Sequence, residues 1–383
     1  MTSPGDAPDV PDAPAASAPT IGENLWRPIQ ALLERLGGRW TRLGWPMGAL
    51  VVVLLLVLKN GITVETFNVR NLYVPGVIAF PEASGYYSAS VGDVLLAKVL
   101  GATTVNTWVA LHVVLVLVAL IVAVLLVVRS DLAPPGALLL VLAGSSAATV
   151  MVGTVGKYDP LMFLGGVMLV LGRRGIVSYL GAVLMALGNP EQAIVACLCL
   201  LILTGIEEFK AWRRVALVSF ALTAGIWVVI QLWMAQSGVE GRVTLLPFFL
   251  FMSFQHFFLN PTGSIWSWLG IGWLVVLGLT VTMRGRARII MLVSLVLVPM
   301  LVTVITADGA RVYGLTVLPA FLLAAAAFWS RLSPDRRVFD TAIGAVLVLT
   351  IVVPTTLAGW GWLGDTLATP FFVLAERLSE GLG

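Results

Sequence analysis

Long apolar runs divide the chain and leave little room for anything but membrane-spanning helices. They extend well beyond the roughly 10 alternating residues of a membrane β-strand. A helix also satisfies its own backbone polar groups inside a bilayer. We count about eleven candidate spans, at approximate limits 44–60, 105–128, 135–154, 160–172, 176–188, 192–206, 215–235, 264–283, 289–306, 312–329 and 341–363.

Composition agrees with an all-α, polytopic membrane bundle. Of 383 residues, 59% are apolar and only 11% are charged, and the mean hydropathy is +0.98. Soluble domains carry about 25% charged residues, so a soluble class is excluded. The net charge of +3 is spread over the loops, which disfavours a nucleic-acid partner.

The basic residues predict an orientation. With a cytoplasmic N-terminus, 16 of the 23 Lys and Arg residues fall in inner segments, as the positive-inside rule requires. We therefore predict a bacterial inner-membrane protein with its C-terminus in the periplasm. The seven outer basic residues are Lys59, Arg70, Lys98, Lys157, Arg242, Arg311 and Arg377.

Four segments follow from this topology. Residues 1–21, rich in Pro, Ala and Asp, predict a disordered cytoplasmic tail. Residues 22–43 predict an amphipathic juxtamembrane helix on the cytoplasmic leaflet, with a solvated basic flank as the alternative. The transmembrane domain covers 44–363, and 364–383 predict a periplasmic interfacial helix.

Two long segments fall on the outer side, and long loops commonly carry function. The first, 59–104, contains the stretch YYSASVGDVLLAKVLG, which predicts an amphipathic helix along the membrane surface. The second, 236–263, is too apolar for a solvated loop and is interrupted by Pro247 and Pro261. It predicts a re-entrant or interfacial segment.

The stretch TVGKYDPLMF places Lys157 and Asp159 between the third and fourth spans, where Pro160 suits the first turn of a helix. The fourth and fifth spans hold only about 13 apolar residues each, fewer than the roughly 17 needed for a full crossing. Their outer ends must then lie below the lipid surface. The junction GNPEQ after the fifth span also combines a proline with an acidic residue, Glu191. Glu191 could equally stabilise a helix dipole. Together the two junctions predict a recessed polar pocket.

Asp308 and Arg311 lie one helical turn apart in TADGARVYGLTVLP. They form a local salt bridge in one interpretation. In the other, the planar fork of Arg311 binds a phosphate, assisted by Arg242 and His256 from the second long outer segment. For His256 an ordinary interfacial position is the alternative.

Three phrases of the chain resemble the GT-C class of membrane glycosyltransferases, which use polyprenyl-phosphate sugars. Glu65, in VETFNVRN soon after the first span, matches the acidic residue of the first outer loop of that class. The D-P of KYDPLMF matches through Asp159, and RVYGLTVLP matches an arginine-to-proline pattern through Arg311 and Pro319. The paired acidic motif of many members is absent, so Glu82 and Asp93 remain alternative bases.

The resemblance implies a GT-C-like fold and an inverting transfer of a hexosyl or pentosyl unit to a glycan or glycolipid acceptor. Glu65 would be the base, and Asp159 would orient the acceptor or hold a divalent cation. The predicted substrate-binding residues are Arg311, Lys157, His256, Arg242, Asp308 and Glu191, of which Arg311 with Lys157 or His256 would stabilise the leaving phosphate. A lipid or polysaccharide flippase that uses the same outward pocket is the alternative function.

Overall fold

The computed structural model describes residues 21–353, except residues 61, 63, 65, 242, 243, 245, 260 and 307. Within this part of the chain the secondary structure is helical, and isolated bridges are the only strand-like pairing. The all-α prediction is therefore confirmed. The predicted interfacial helix at 364–383 and nearly all of the predicted tail lie outside the described residues.

The first nine helices bring the chain from the N-terminal side to the fourth predicted span. A π-helical turn, Val69–Tyr73, joins α3 to α4, and a 3-10 turn, Tyr86–Ala89, precedes α5. The helices are α1 Ile21–Arg42, α2 Trp45–Asn60, α3 Thr66–Asn68, α4 Val74–Ala79, α5 Val91–Val99, α6 Val105–Arg129, α7 Pro135–Gly144, α8 Ser146–Gly153 and α9 Asp159–Leu171.

Ten further helices follow. A 3-10 turn, Glu207–Trp212, leads into α12, and a π-helical turn, Val293–Leu297, joins α16 to α17. The helices are α10 Ile176–Gly188, α11 Pro190–Leu203, α12 Arg213–Gln236, α13 Leu246–Leu259, α14 Pro261–Leu269, α15 Gly272–Thr282, α16 Gly285–Leu292, α17 Val298–Val304, α18 Gly309–Leu332 and α19 Arg336–Val352.

Several helices are long and apolar enough to span a membrane, as expected of a multi-pass protein. In the described part of the chain there are four such spans, or up to seven if each bent helix pair counts as one. The bends measure 116° between α1 and α2, 58° between α7 and α8, and 86° between α14 and α15. The predicted count of about eleven spans is not confirmed.

The break between α7 and α8 divides the segment 135–154, which we predicted as one span. Ser145 has an extended backbone, with φ −80° and ψ 145°, and its hydroxyl accepts a hydrogen bond from the Ala148 amide. A serine at this position caps the following helix. The apolar run therefore restarts as a second helix instead of continuing straight.

The short helices α9 and α10 pack closely against each other. In α9 and α10 a side chain at Gly165 or Gly181 would bring its Cβ within 2.5 Å of the other residue's carbonyl oxygen. Such close approach of backbones is typical of small residues between membrane helices. α18 packs against both α9 and α11 and is buried over most of its length.

Helices α1 and α5 overlap the two stretches that we predicted as amphipathic helices. α1 packs along α19, where Gly37 lies against the backbone of Asp340, and Trp40 Nε1 donates to the Gly136 carbonyl of α7 at 3.0 Å. α5 buries Asp93 and Ala97, leaves Leu95 exposed, and packs against α4 and α10. Both helices therefore pack against other helices of the protein.

Candidate functional site

Four charged side chains from two distant parts of the sequence meet at the N-terminal ends of α9 and α18. Arg311 Nε donates to Asp159 Oδ1 at 2.5 Å, and Arg311 Nη1 donates to Asp308 Oδ2 at 2.7 Å. Lys157 Nζ lies 3.6 Å from the same oxygen of Asp308. These residues form the charge cluster, which carries two positive and two negative charges.

The charge cluster is buried at its centre and more open at one edge. Asp159 has no exposed surface, and the side chain of Arg311 is 8% exposed. Asp308 is the most exposed of the four, at 29% of its side chain. Since charges in a low-dielectric interior must be paired, the interlocked contacts explain how this group is tolerated at depth.

One hydrogen-bond donor of the charge cluster has no partner among the described residues. Arg311 Nη2 is buried and makes no hydrogen bond to any residue that the structure describes. A buried unsatisfied donor on a charged group costs more than about 1–3 kcal/mol. The guanidinium therefore presents one unused donor beside the edge that Asp308 occupies.

The turn between α8 and α9 positions the cluster. Val155 forms parallel bridges with Val64 of the segment 59–104 and with Lys157. Gly156 has φ +109°, and a Cβ there would lie 2.9 Å from a methyl carbon of Val69. Trp108 Nε1 donates to the Gly156 carbonyl at 2.8 Å. A glycine is required here because an L side chain would both strain the backbone and clash.

Aromatic residues that we did not single out from the sequence surround Arg311. Its guanidinium lies 4.3 Å from the ring centroid of Tyr158, a cation–π distance. Asn189 Nδ2 donates to the Tyr158 hydroxyl at 3.1 Å. The Tyr73 ring meets Tyr158 edge-on and stacks on Trp108. These contacts with Arg311 were not predicted, because tyrosines within apolar phrases do not indicate them.

Asp308 is held in its charged form. Its burial raises the pKa, but Lys157 and Arg311 together lower the pKa to about 2. Arg311 also lies in the first turn of α18, where the helix dipole disfavours a cation. The two carboxylates therefore offset both the burial and the dipole.

A second polar pair lies in the interior, between α5 and α6. His112 Nε2 is 3.2 Å from Asp93 Oδ1, and His112 Nδ1 is 3.0 Å from the Trp108 carbonyl oxygen. A carbonyl only accepts, so Nδ1 carries a proton and one further proton is shared between Nε2 and the carboxyl. Burial raises the pKa of Asp93, and the bond to His112 opposes that rise. His112 thus stacks on the Trp108 ring and is also a hydrogen-bond partner of Asp93.

The predicted site residues have different outcomes. The structure brings Asp159, Arg311, Asp308 and Lys157 together, and the predicted local salt bridge of Asp308 and Arg311 is present. Glu191 lies in the first turn of α11 and accepts a hydrogen bond from Gln231 at 3.3 Å.

Three predicted residues remain untested. Glu65 and Arg242 lie outside the described residues. His256 belongs to α13, but its side chain is not described. In the described part of the chain, no group of three His, Cys, Asp or Glu side chains could hold a metal ion.

Comparison with known proteins gives no relative. No family model, no curated protein and no solved structure matches the chain. Any functional conclusion must therefore rest on the geometry of the site.

Proposed function

We propose that this chain is an inverting membrane glycosyltransferase of the GT-C class. It would move a hexosyl or pentosyl unit from a polyprenyl-phosphate donor to a glycan or lipid acceptor of the cell envelope, on the outer face. One observation carries the proposal: Asp159 and Arg311, the central residues of two GT-C-like phrases, are separated by 152 residues and form a 2.5 Å ion pair.

The cations of the charge cluster suit the donor phosphate. Arg311 and Lys157 lie on either side of a single oxygen of Asp308, at 2.7 Å and 3.6 Å. Charge-assisted hydrogen bonds from such a pair stabilise phosphate oxygens, and an arginine can contact two of them at once. The unused Nη2 donor of Arg311 would supply the second contact.

Glu65 is the proposed base. Val64, the preceding residue, bridges to Val155, two residues before Lys157, and this pairing supports a base near the charge cluster. The carboxylate would take the proton of an acceptor hydroxyl while the oxygen attacks the anomeric carbon. The bond from that carbon to the phosphate oxygen then breaks, and the electron pair leaves with the phosphate.

This single displacement inverts the anomeric centre. General base catalysis of the kind is worth roughly 10² to 10⁴ in rate. Arg311 and Lys157 would stabilise the additional negative charge on the departing phosphate. Asp159, held by Arg311 and by the Thr154 hydroxyl at 3.2 Å, is the candidate for orienting the acceptor.

The test uses purified protein in liposomes, a panel of radiolabelled polyprenyl-phosphate hexoses and pentoses, and an acceptor extract of cell envelopes. We expect label in the acceptor with the wild type, and none with Glu65→Gln at equal membrane insertion. The matched control is Glu240→Gln, which removes an exposed carboxylate outside the charge cluster and should keep full transfer.

Two outcomes contradict parts of the proposal. Full activity of Glu65→Gln removes the base assignment. Movement of labelled lipid across the bilayer without any label in the acceptor identifies a flippase and rejects the transferase.

A further inference from the structure

The two carboxylates bound to Arg311 differ in a way that suggests different roles. Asp159 is fully enclosed, whereas the side chain of Asp308 is 29% exposed and lies in the junction before α18. One oxygen of Asp308 faces both Arg311 Nη1 and Lys157 Nζ. A phosphate oxygen bound by the two cations would need that same position.

Arg311 has capacity for a second anion contact. Nε is used by Asp159 and Nη1 by Asp308, while Nη2 is buried and without a hydrogen bond in the described part of the chain. An anion with two oxygens at this edge would engage Nη1 and Nη2 together. A single carboxylate oxygen, as Asp308 presents it, leaves one of the two donors unused.

The charge balance favours one class of anion. Without Asp308, the remaining three charges of the cluster, on Lys157, Arg311 and Asp159, sum to one positive charge. A phosphodiester carries one negative charge, as the displaced carboxylate does. The two cations beside the position of Asp308 therefore favour an anion over a neutral ligand.

An alternative position is open to the side chain of Asp308 at the start of α18. It is the N-cap residue of α18, yet its side chain makes no capping hydrogen bond. Aspartate is among the preferred N-cap residues. A carboxylate released from Arg311 and Lys157 would turn toward the free amides of the first turn of α18 or toward solvent.

We propose that Asp308 is an internal competitor for the phosphate site, and that a lipid-linked phosphodiester binds by displacing its carboxylate from Arg311 and Lys157. The identity of the lipid rests on the proposed function. The displacement rests on the geometry of the charge cluster. Asp308 would thus exclude anions that bind Arg311 and Lys157 more weakly than its own carboxylate does.

The experiment measures binding by titration calorimetry of purified protein in detergent micelles. The probes are farnesyl methyl phosphate, which is a phosphodiester, together with dimethyl phosphate and farnesol. We expect Asp308→Asn to bind farnesyl methyl phosphate about tenfold more tightly than the wild type, since the competing charge is gone. Glu240→Gln makes the same change in net charge at an exposed position and should leave the affinity unchanged.

Equal or weaker binding by a folded Asp308→Asn overturns the proposal, as does the absence of farnesyl methyl phosphate binding in both proteins. If Asp308→Asn does not fold, Asp308→Ser removes the same charge and carries the same expectation. Dimethyl phosphate that binds as tightly as farnesyl methyl phosphate overturns the assignment to a lipid.

Failure of this inference is distinguishable from failure of the proposed function. Tighter binding in the variant without any sugar transfer by the wild type rejects the transferase and keeps the role of Asp308. Sugar transfer by the wild type, together with equal binding by the wild type and Asp308→Asn, keeps the transferase and rejects the role of Asp308.

Discussion

Replacing Arg311 by methionine tests the electrostatics of the charge cluster directly. The substitution removes the cation but keeps much of the apolar stem of the side chain. Asp159, which has no exposed surface, would retain only the 3.2 Å hydrogen bond from Thr154 among the described contacts. Removing one partner of a buried ion pair costs about 3 to 5 kcal/mol, and we expect Arg311→Met to fall in that range.

The double variant Arg311→Met with Asp159→Asn should recover much of this loss. With both charges gone, no ion remains stranded, and replacement of a buried pair by groups of similar volume is often close to neutral. We therefore expect the double variant to be more stable than Arg311→Met alone by about 2 kcal/mol or more. An exposed pair gives the contrast: Glu207→Gln, which breaks the contact of a carboxylate that is 84% exposed, should cost under about 1 kcal/mol.

The assay is SDS titration of the protein in mixed micelles, with unfolding followed by tryptophan fluorescence. A loss below about 1 kcal/mol for Arg311→Met would mean that water reaches Asp159 after all. A double variant that loses the sum of the two single losses would refute the coupling of the two charges. Either result would remove the buried ion pair as a basis for the proposed site.

Three further predictions concern orientation, packing and acid stability. In a cysteine-free background, Glu240→Cys should react with an impermeant maleimide on intact cells and Arg286→Cys only after permeabilisation; the reverse pattern contradicts the predicted orientation. Gly165→Ala should destabilise the protein by about 1–3 kcal/mol in the SDS assay, because its Cβ would lie 2.5 Å from a carbonyl oxygen of α10. Gly225→Ala, with no atom within 4 Å, should be neutral or stabilising. Because the pKa of Asp308 falls from 3.8 to about 2 on folding, its contribution to stability is full above pH 3.8 and is lost as the pH falls through about 2. Asp308→Asn should flatten this part of an unfolding profile measured by circular dichroism.

The sequence predicts the helical class from strong local signals, whereas Asp159 and Arg311 were assigned to one site through the resemblance to the GT-C class. Long apolar runs exclude strands, and rare charges beside short spans are conspicuous. The breaks inside apolar runs were not predicted, since Ser145 interrupts a helix without lowering the hydropathy around it. The Asp93 and His112 pair was missed because their side chains face each other from two helices, and the contact depends on how α5 packs against the rest.

A purely structural role for the charge cluster can be weighed against a functional one on energetic grounds. Buried ion pairs add little stability compared with apolar residues of the same volume, so structure alone gives weak reason to place four charges here. A structural network would also be expected to satisfy its donors, yet Arg311 Nη2 is buried without a partner among the described residues. A site that exchanges an internal anion for an external one requires an exposed carboxylate beside an unused donor. Asp308, beside Arg311 Nη2, meets this requirement. The unsatisfied donor and the exposed carboxylate therefore favour ligand binding over scaffolding as the reason for the cluster.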